Sequence, residues 1–162
     1  MPDLRIVFLR RENLLQAAMS ALIGEQTNVW KAWDLEHEIS DHYRGLAPLT
    51  IDRVREIVES LDENVPIYEA VVDRRPEGTA VKLVHEALYT PDVTANKRVL
   101  RPVFDMLGLS MRQTSELDRL LDPAITKLNS EATYRMVPNA VEIDERLGSD
   151  RTGWLFDRPR QR

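Results

Sequence analysis

The chain has 162 residues, of which 43% are apolar and 30% charged, with no cysteine and a formal net charge of −5. That balance belongs to a globular chain long enough to bury a core, not to a disordered one. The missing cysteines exclude disulfides, thiolate metal sites and a cysteine nucleophile.

The charge is unevenly spread. The first 75 residues carry nine Lys or Arg against fourteen Asp or Glu, and the remainder carries thirteen of each. Broad contact with a phosphate backbone needs clustered Lys and Arg, so an acidic body argues against nucleic acid as the main partner. No apolar run approaches the roughly 18 to 20 residues of a membrane span, and the opening MPDLRIVFLRR is too charged for a signal peptide. The expected location is cytoplasmic, without membrane association.

In chain order, LRIVFL (4–9) is short enough to be a strand or the lead-in to a helix. NLLQAAMSALIG is rich in strong helix formers, and the helix is expected to stop at Gly24. A second helix is expected from about Asn28 to Arg44, closed by Gly45 in the left-handed region and by Pro48. A third begins at Thr50 as cap, with Leu49 and Val54 stapling across it. Its stripe is Ile51, Val54, Ile57, Val58 and Leu61, and it should end by Asn64, before Pro66. IYEAVV (67–72) is then the other strand candidate, followed by a turn at 74–78.

Val81, Leu83, Val84, Ala87 and Leu88 predict a helix over 79–89, with His85 on its polar flank. Thr90-Pro91 starts another helix, which runs to Gly108 with Pro102 inside it. Ser110 and Gln113 have capping-box spacing for the next, Asp122-Pro123 starts one more, and Pro138–Leu147 forms the last. The expected fold is mainly α: a compact multi-helix domain of about seven or eight helices over 1–148, with at most two short strands. Residues 149–162 form an extended aromatic-basic tail.

Three places carry candidate chemistry. In WDLEHEISDHYRG (33–45), His37 and His42 stand among Asp34, Glu38 and Asp41, residue types that suit zinc, iron or manganese. HEISDHYRG resembles the histidine-containing helix of DinB-like metal-binding bundles, in which a histidine precedes Arg-Gly. The resemblance implies a metal-dependent helical-bundle enzyme. It covers under a tenth of the chain, and His85 is the only further histidine. Five residues also set the two histidines about 140° apart on a helix. An acidic solvated face accounts for the same residues, and no metal or other cofactor is expected.

VFDMLGLSMRQTSELDRLL (103–121) is similar to the helix-turn-helix of bacterial regulators, which would put Met111, Arg112, Gln113 and Ser115 at the leading end of a DNA-reading helix. Its Arg112 and Arg119 are outnumbered by Glu116, Asp118 and Asp122. A helix stop followed by a cap explains the same pattern. No phosphate loop, dinucleotide fingerprint or serine-nucleophile elbow occurs.

The tail SDRTGWLFDRPRQR is the third place. Trp154, Leu155 and Phe156 follow Gly148 and Gly153 and precede Pro159, so they do not extend the last helix. Three adjacent large side chains need burial, against their own core or against a partner. Trp, Phe and Arg are also the residue types of interface anchors and rims. The sequence therefore points to a non-enzymatic protein-protein interaction protein: an adaptor, accessory subunit or structural component of a larger assembly. The expected partner is another protein or a second copy, docked partly through Trp154, Leu155, Phe156, Arg158 and Arg160. The alternatives are a DNA-associated regulator using 103–121 and, more distantly, the metal-dependent enzyme centred on His37 and His42.

Overall fold

A computed structural model describes residues 4–30, 43, 45–112, 114–126 and 130–157. Those residues form eight helices and two short strands, so the fold is mainly helical. No helix among them is long and apolar enough to cross a membrane. The chain divides into two compact units, Met1–Glu12 with Glu63–Thr126 and Asn13–Asp62 with Lys127–Arg162.

The first unit contains strand β1, Ile6–Arg10, which pairs in parallel with β2, Ala80–Val84; Ile6 lies opposite Ala80 and Arg10 opposite Val84. The sequence predicts a helix at 80–84, and the structure corrects it. AVKLV is dominated by β-branched and apolar residues and has an available partner of like composition, so ladder pairing wins over local helical spacing. A parallel pair needs a long crossover, which the intervening chain supplies. The helix shrinks to α3, His85–Leu88. Helix α4, Val93–Leu107, is capped by Asp92, whose carboxylate accepts from the N–H groups of Thr94 and Ala95, and it ends on left-handed Gly108. Pro102 sits inside it, as expected. Helix α5, Ser115–Leu121, starts from Thr114 rather than Ser110, and α6 is Pro123–Thr126, with Asp122 accepting from the Ala124 N–H.

Helix α2, Ile51–Asp73, supplies residues to both units. It passes through Pro66, so 67–72 is helical and not the expected strand. Proline removes one intrahelical donor and crowds the carbonyl four residues earlier, at a cost of about 3 kcal/mol, which the rest of the helix outweighs. The last turns of α2 are held by ion pairs within the first unit, Arg10 Nε to Glu69 Oε1 at 2.9 Å and Lys82 Nζ to Asp73 Oδ1 at 2.6 Å.

The second unit holds α1, Leu14–Thr27, the first turns of α2, α7, Glu131–Tyr134, and α8, Ala140–Leu147. Asn13 caps α1 by accepting from the Gln16 N–H. Gly24 does not stop α1. It is buried within the helix where the Trp30 ring lies so close that a Cβ would stand 2.9 Å from it. The stop is left-handed Asn28 instead. The core gathers Leu15, Met19 and Ile23 from α1, Val54 and Val58 from α2, and Tyr43, Tyr134, Ile143 and Leu155. Leu49 is buried there too, and its N–H and C=O both bond the Asn139 side-chain amide, at 2.9 and 2.7 Å. Of the helix expected over 28–44, residues 31–42 and 44 lie outside the described residues, while Gly45 is left-handed as expected (φ 84°).

Candidate functional site

The tail leaves α8 at Gly148 and turns back on itself. Ser149 and Gly153 form an antiparallel bridge, with N···O distances of 3.2 and 2.8 Å. The Thr152 hydroxyl lies 2.8 Å from Ser149 Oγ and donates to the Leu147 carbonyl at 2.7 Å. Gly153 has φ 84°, and a Cβ there would collide with the Asn13 side chain. Only glycine meets both demands.

Beyond that turn the tail is stitched to α1 and α8. The Leu15 N–H donates to the Thr152 carbonyl at 2.9 Å. Both the Asn13 and the Gln16 side-chain amides donate to the Trp154 carbonyl, at 2.7 and 3.1 Å. Buried Asp144 accepts the Leu155 N–H at 2.6 Å. Leu155 itself is only 2% exposed and belongs to the core, with Phe156 packed against the same cluster.

The three consecutive side chains therefore have different environments. Leu155 faces inward, whereas Trp154 and Phe156 are half-buried. The Arg135 guanidinium lies 4.5 Å from the centre of the Phe156 ring, a cation–π arrangement. The Trp154 ring lies where a Cβ on Gly148 would be, so Gly148 admits the indole. Arg158 and Arg160 lie outside the described residues.

The other sequence candidates fare unevenly. His37 and His42, with Asp34, Glu38 and Asp41, lie outside the described residues, and no group of three potential metal ligands occurs among the described ones. In 103–121, seven residues (108–114) separate α4 from α5. A helix-turn-helix turn has three or four. Asp118 pairs with Lys97, and Asp122 accepts the Ala124 N–H ahead of α6. His85 opens α3, with its Nε2 3.1 Å from Arg11 Nη2 and its ring 4.8 Å from that of Tyr89. Comparisons with protein-family models, curated protein sequences and solved structures return no match.

One surface feature was hidden from the sequence by the expected break at Pro66. Because α2 continues, Ile67, Tyr68 and Val71 fall at i, i+1 and i+4 on one helical face, and they are 58, 55 and 52% exposed. Glu69 and Asp73, which hold the sheet, mark the opposite side of those turns. A sequence reader could have found the ridge only by allowing a proline inside the helix.

Proposed function

We propose that the protein is a non-enzymatic protein-protein interaction protein, an adaptor or accessory subunit of a larger assembly. The observation that carries this is the ridge of Ile67, Tyr68 and Val71, three large apolar side chains more than half exposed on consecutive turns of one helix. Apolar side chains exposed singly need no explanation, but a contiguous set of this kind marks an interaction face. Its tyrosine suits a hot spot, with an amphipathic ring and few rotatable bonds to order.

The tail contributes in a restricted way. Leu155 is committed to the core, so partner contact falls to the outward sides of Trp154 and Phe156, with Arg158 and Arg160 as rim. The test is association of full-length protein with its native partner, followed by quantitative affinity capture. Ile67→Glu with Val71→Glu should abolish the specific co-purifying protein without lowering the melting temperature. Unchanged capture by that variant would remove the ridge from the proposal.

A further inference from the structure

We propose that the first unit carries a binding site for a phosphate group, in the cleft lined by Thr94, Lys97, Arg98, Arg101 and Met111. The spacing comes from α4. Residues 94, 97, 98 and 101 follow the i, i+3, i+4, i+7 pattern, which places them on one face of a helix. The cleft has a volume of about 190 Å³. A water occupies about 30 Å³ of liquid, so there is room for a tetrahedral oxyanion together with part of its hydration shell.

The chemistry of the lining is one-sided. Lys, Arg and Thr bring ammonium, guanidinium and hydroxyl donors, and no carboxylate is among the lining residues. Lys97 is mostly covered, with 15% of its side chain exposed, and its amine is paired with Asp118. Arg98 and Arg101 have no ion pair among the described residues. Three cations against the one paired carboxylate leave the cleft at +2 in a chain whose net charge is −5. The two guanidiniums each offer a planar fork that matches phosphate oxygens, and the Thr94 hydroxyl lies on the same helix face one turn before Arg98. Met111 supplies an apolar wall on one side of the cleft.

The carboxylates closest in sequence to these residues do not line the cleft. Asp92 is engaged with the first N–H groups of α4, and Asp118 holds Lys97. Asp105 stands one turn beyond Arg101 on α4 and does not line the cleft. Neighbouring cations with no carboxylate between them repel one another, and a bound dianion relieves that repulsion. The ligand class is a phosphate monoester or a diphosphate, held through its terminal oxygens.

The experiment is calorimetric titration of the full-length protein with inorganic phosphate and with pyrophosphate at low ionic strength, using sulfate as the anion comparison. Saturable 1:1 binding of pyrophosphate, tighter than that of sulfate, is expected. Arg98→Gln with Arg101→Gln should weaken it at least tenfold. Arg53→Gln with Arg55→Gln, which removes the same charge from exposed positions on α2, should leave it within twofold. Arg98→Lys with Arg101→Lys keeps charge but loses the forks, and an intermediate affinity is expected. Because both arginines are exposed, the variants should melt with the wild type in ligand-free buffer. Pyrophosphate should raise the melting temperature of the wild type alone. Absent or non-saturating binding, or equal weakening by the two Gln pairs, would overturn the site.

Discussion

The carboxylate of Asp144, buried in α8, accepts the main-chain N–H of Leu155 eleven residues later, and the Leu155 side chain enters the core shared by α1, α2 and α8. A carboxylate accepting a backbone N–H is a charge-assisted bond, and here it fixes the point at which the tail meets its own unit. The sequence leaves open whether the tail is buried against its own core or against a partner, and the buried position of Leu155 commits that residue to its own core.

Leu155→Ala should therefore cost about 2–5 kcal/mol, the range for a buried leucine truncated to alanine. With about 2–4 °C of melting temperature per kcal/mol at this chain length, a loss of several degrees is expected. Truncation to 1–148 should cost more, since it also removes Phe156 and the acceptors of the Asn13, Leu15 and Gln16 donors. Thermal melts of the isolated protein, without partner, provide the check. A truncated chain that melts with the full-length one would show that the tail is held by something other than this core.

Gly148→Ala tests the same junction by another route. The Gly148 backbone, φ −70° and ψ 137°, suits any residue, so no strain arises from conformation. The added Cβ instead meets the Trp154 ring and the Asp144 carbonyl. The indole must move outward and the last turn of α8 must yield at the Asp144 carbonyl, at a cost of about 1–3 kcal/mol. Tryptophan emission should shift to the red, and the shift should vanish when Trp154→Phe is combined with it. An unshifted spectrum with unchanged stability would contradict the observed ring position.

Tyr43 gives the protein an alkaline limit. Burial pushes its phenol above the usual 10.0, and nearby Tyr134 adds to the effect. The unfolded chain begins to release this proton near pH 10 while the folded chain still holds it. The stabilisation is therefore complete below pH 10 and is lost as pH climbs through the raised folded value. Urea unfolding from pH 9 to 11.5 should show stability falling with pH, and Tyr43→Phe should flatten part of the fall. An identical slope in the variant would assign the alkaline loss to other groups.

Asn96 should be the most sensitive polar position of the first unit. It is fully buried, and its amide accepts from the Thr90 N–H and hydroxyl at 3.0 and 2.6 Å while donating to the Thr90 and Leu121 carbonyls at 2.7 and 3.0 Å. Asn96→Ala strands the partly buried Thr90 groups and the buried Leu121 carbonyl, which costs about 1–3 kcal/mol. Asn96→Asp should do no better, because it replaces both donors with a carboxylate facing two carbonyl oxygens. Denaturant unfolding measures both; a loss under about 1 kcal/mol would mean that the loop relaxes and water replaces the amide.

The sequence by itself determined the features governed by one or two adjacent residues. Mainly helical character follows from helix formers at helical spacing. The left-handed conformation of Gly45 and the left-handed helix stop at Gly108 follow from glycine's freedom at positive φ, and the Asp122-Pro123 start follows from a side-chain acceptor ahead of a residue that lacks an N–H. The tertiary structure decided what depends on distant partners. Ala80–Val84 is a strand because Ile6–Arg10 lies alongside it, a pairing 74 residues apart that no local window contains. Gly24 lies inside α1, where the missing Cβ leaves room for the Trp30 ring, and α2 continues through Pro66, with ion pairs holding its later turns. The inward turn of Leu155 depends on a hydrogen bond from its backbone to Asp144, and backbone polarity is the same at every residue, so the sequence carries no mark of it.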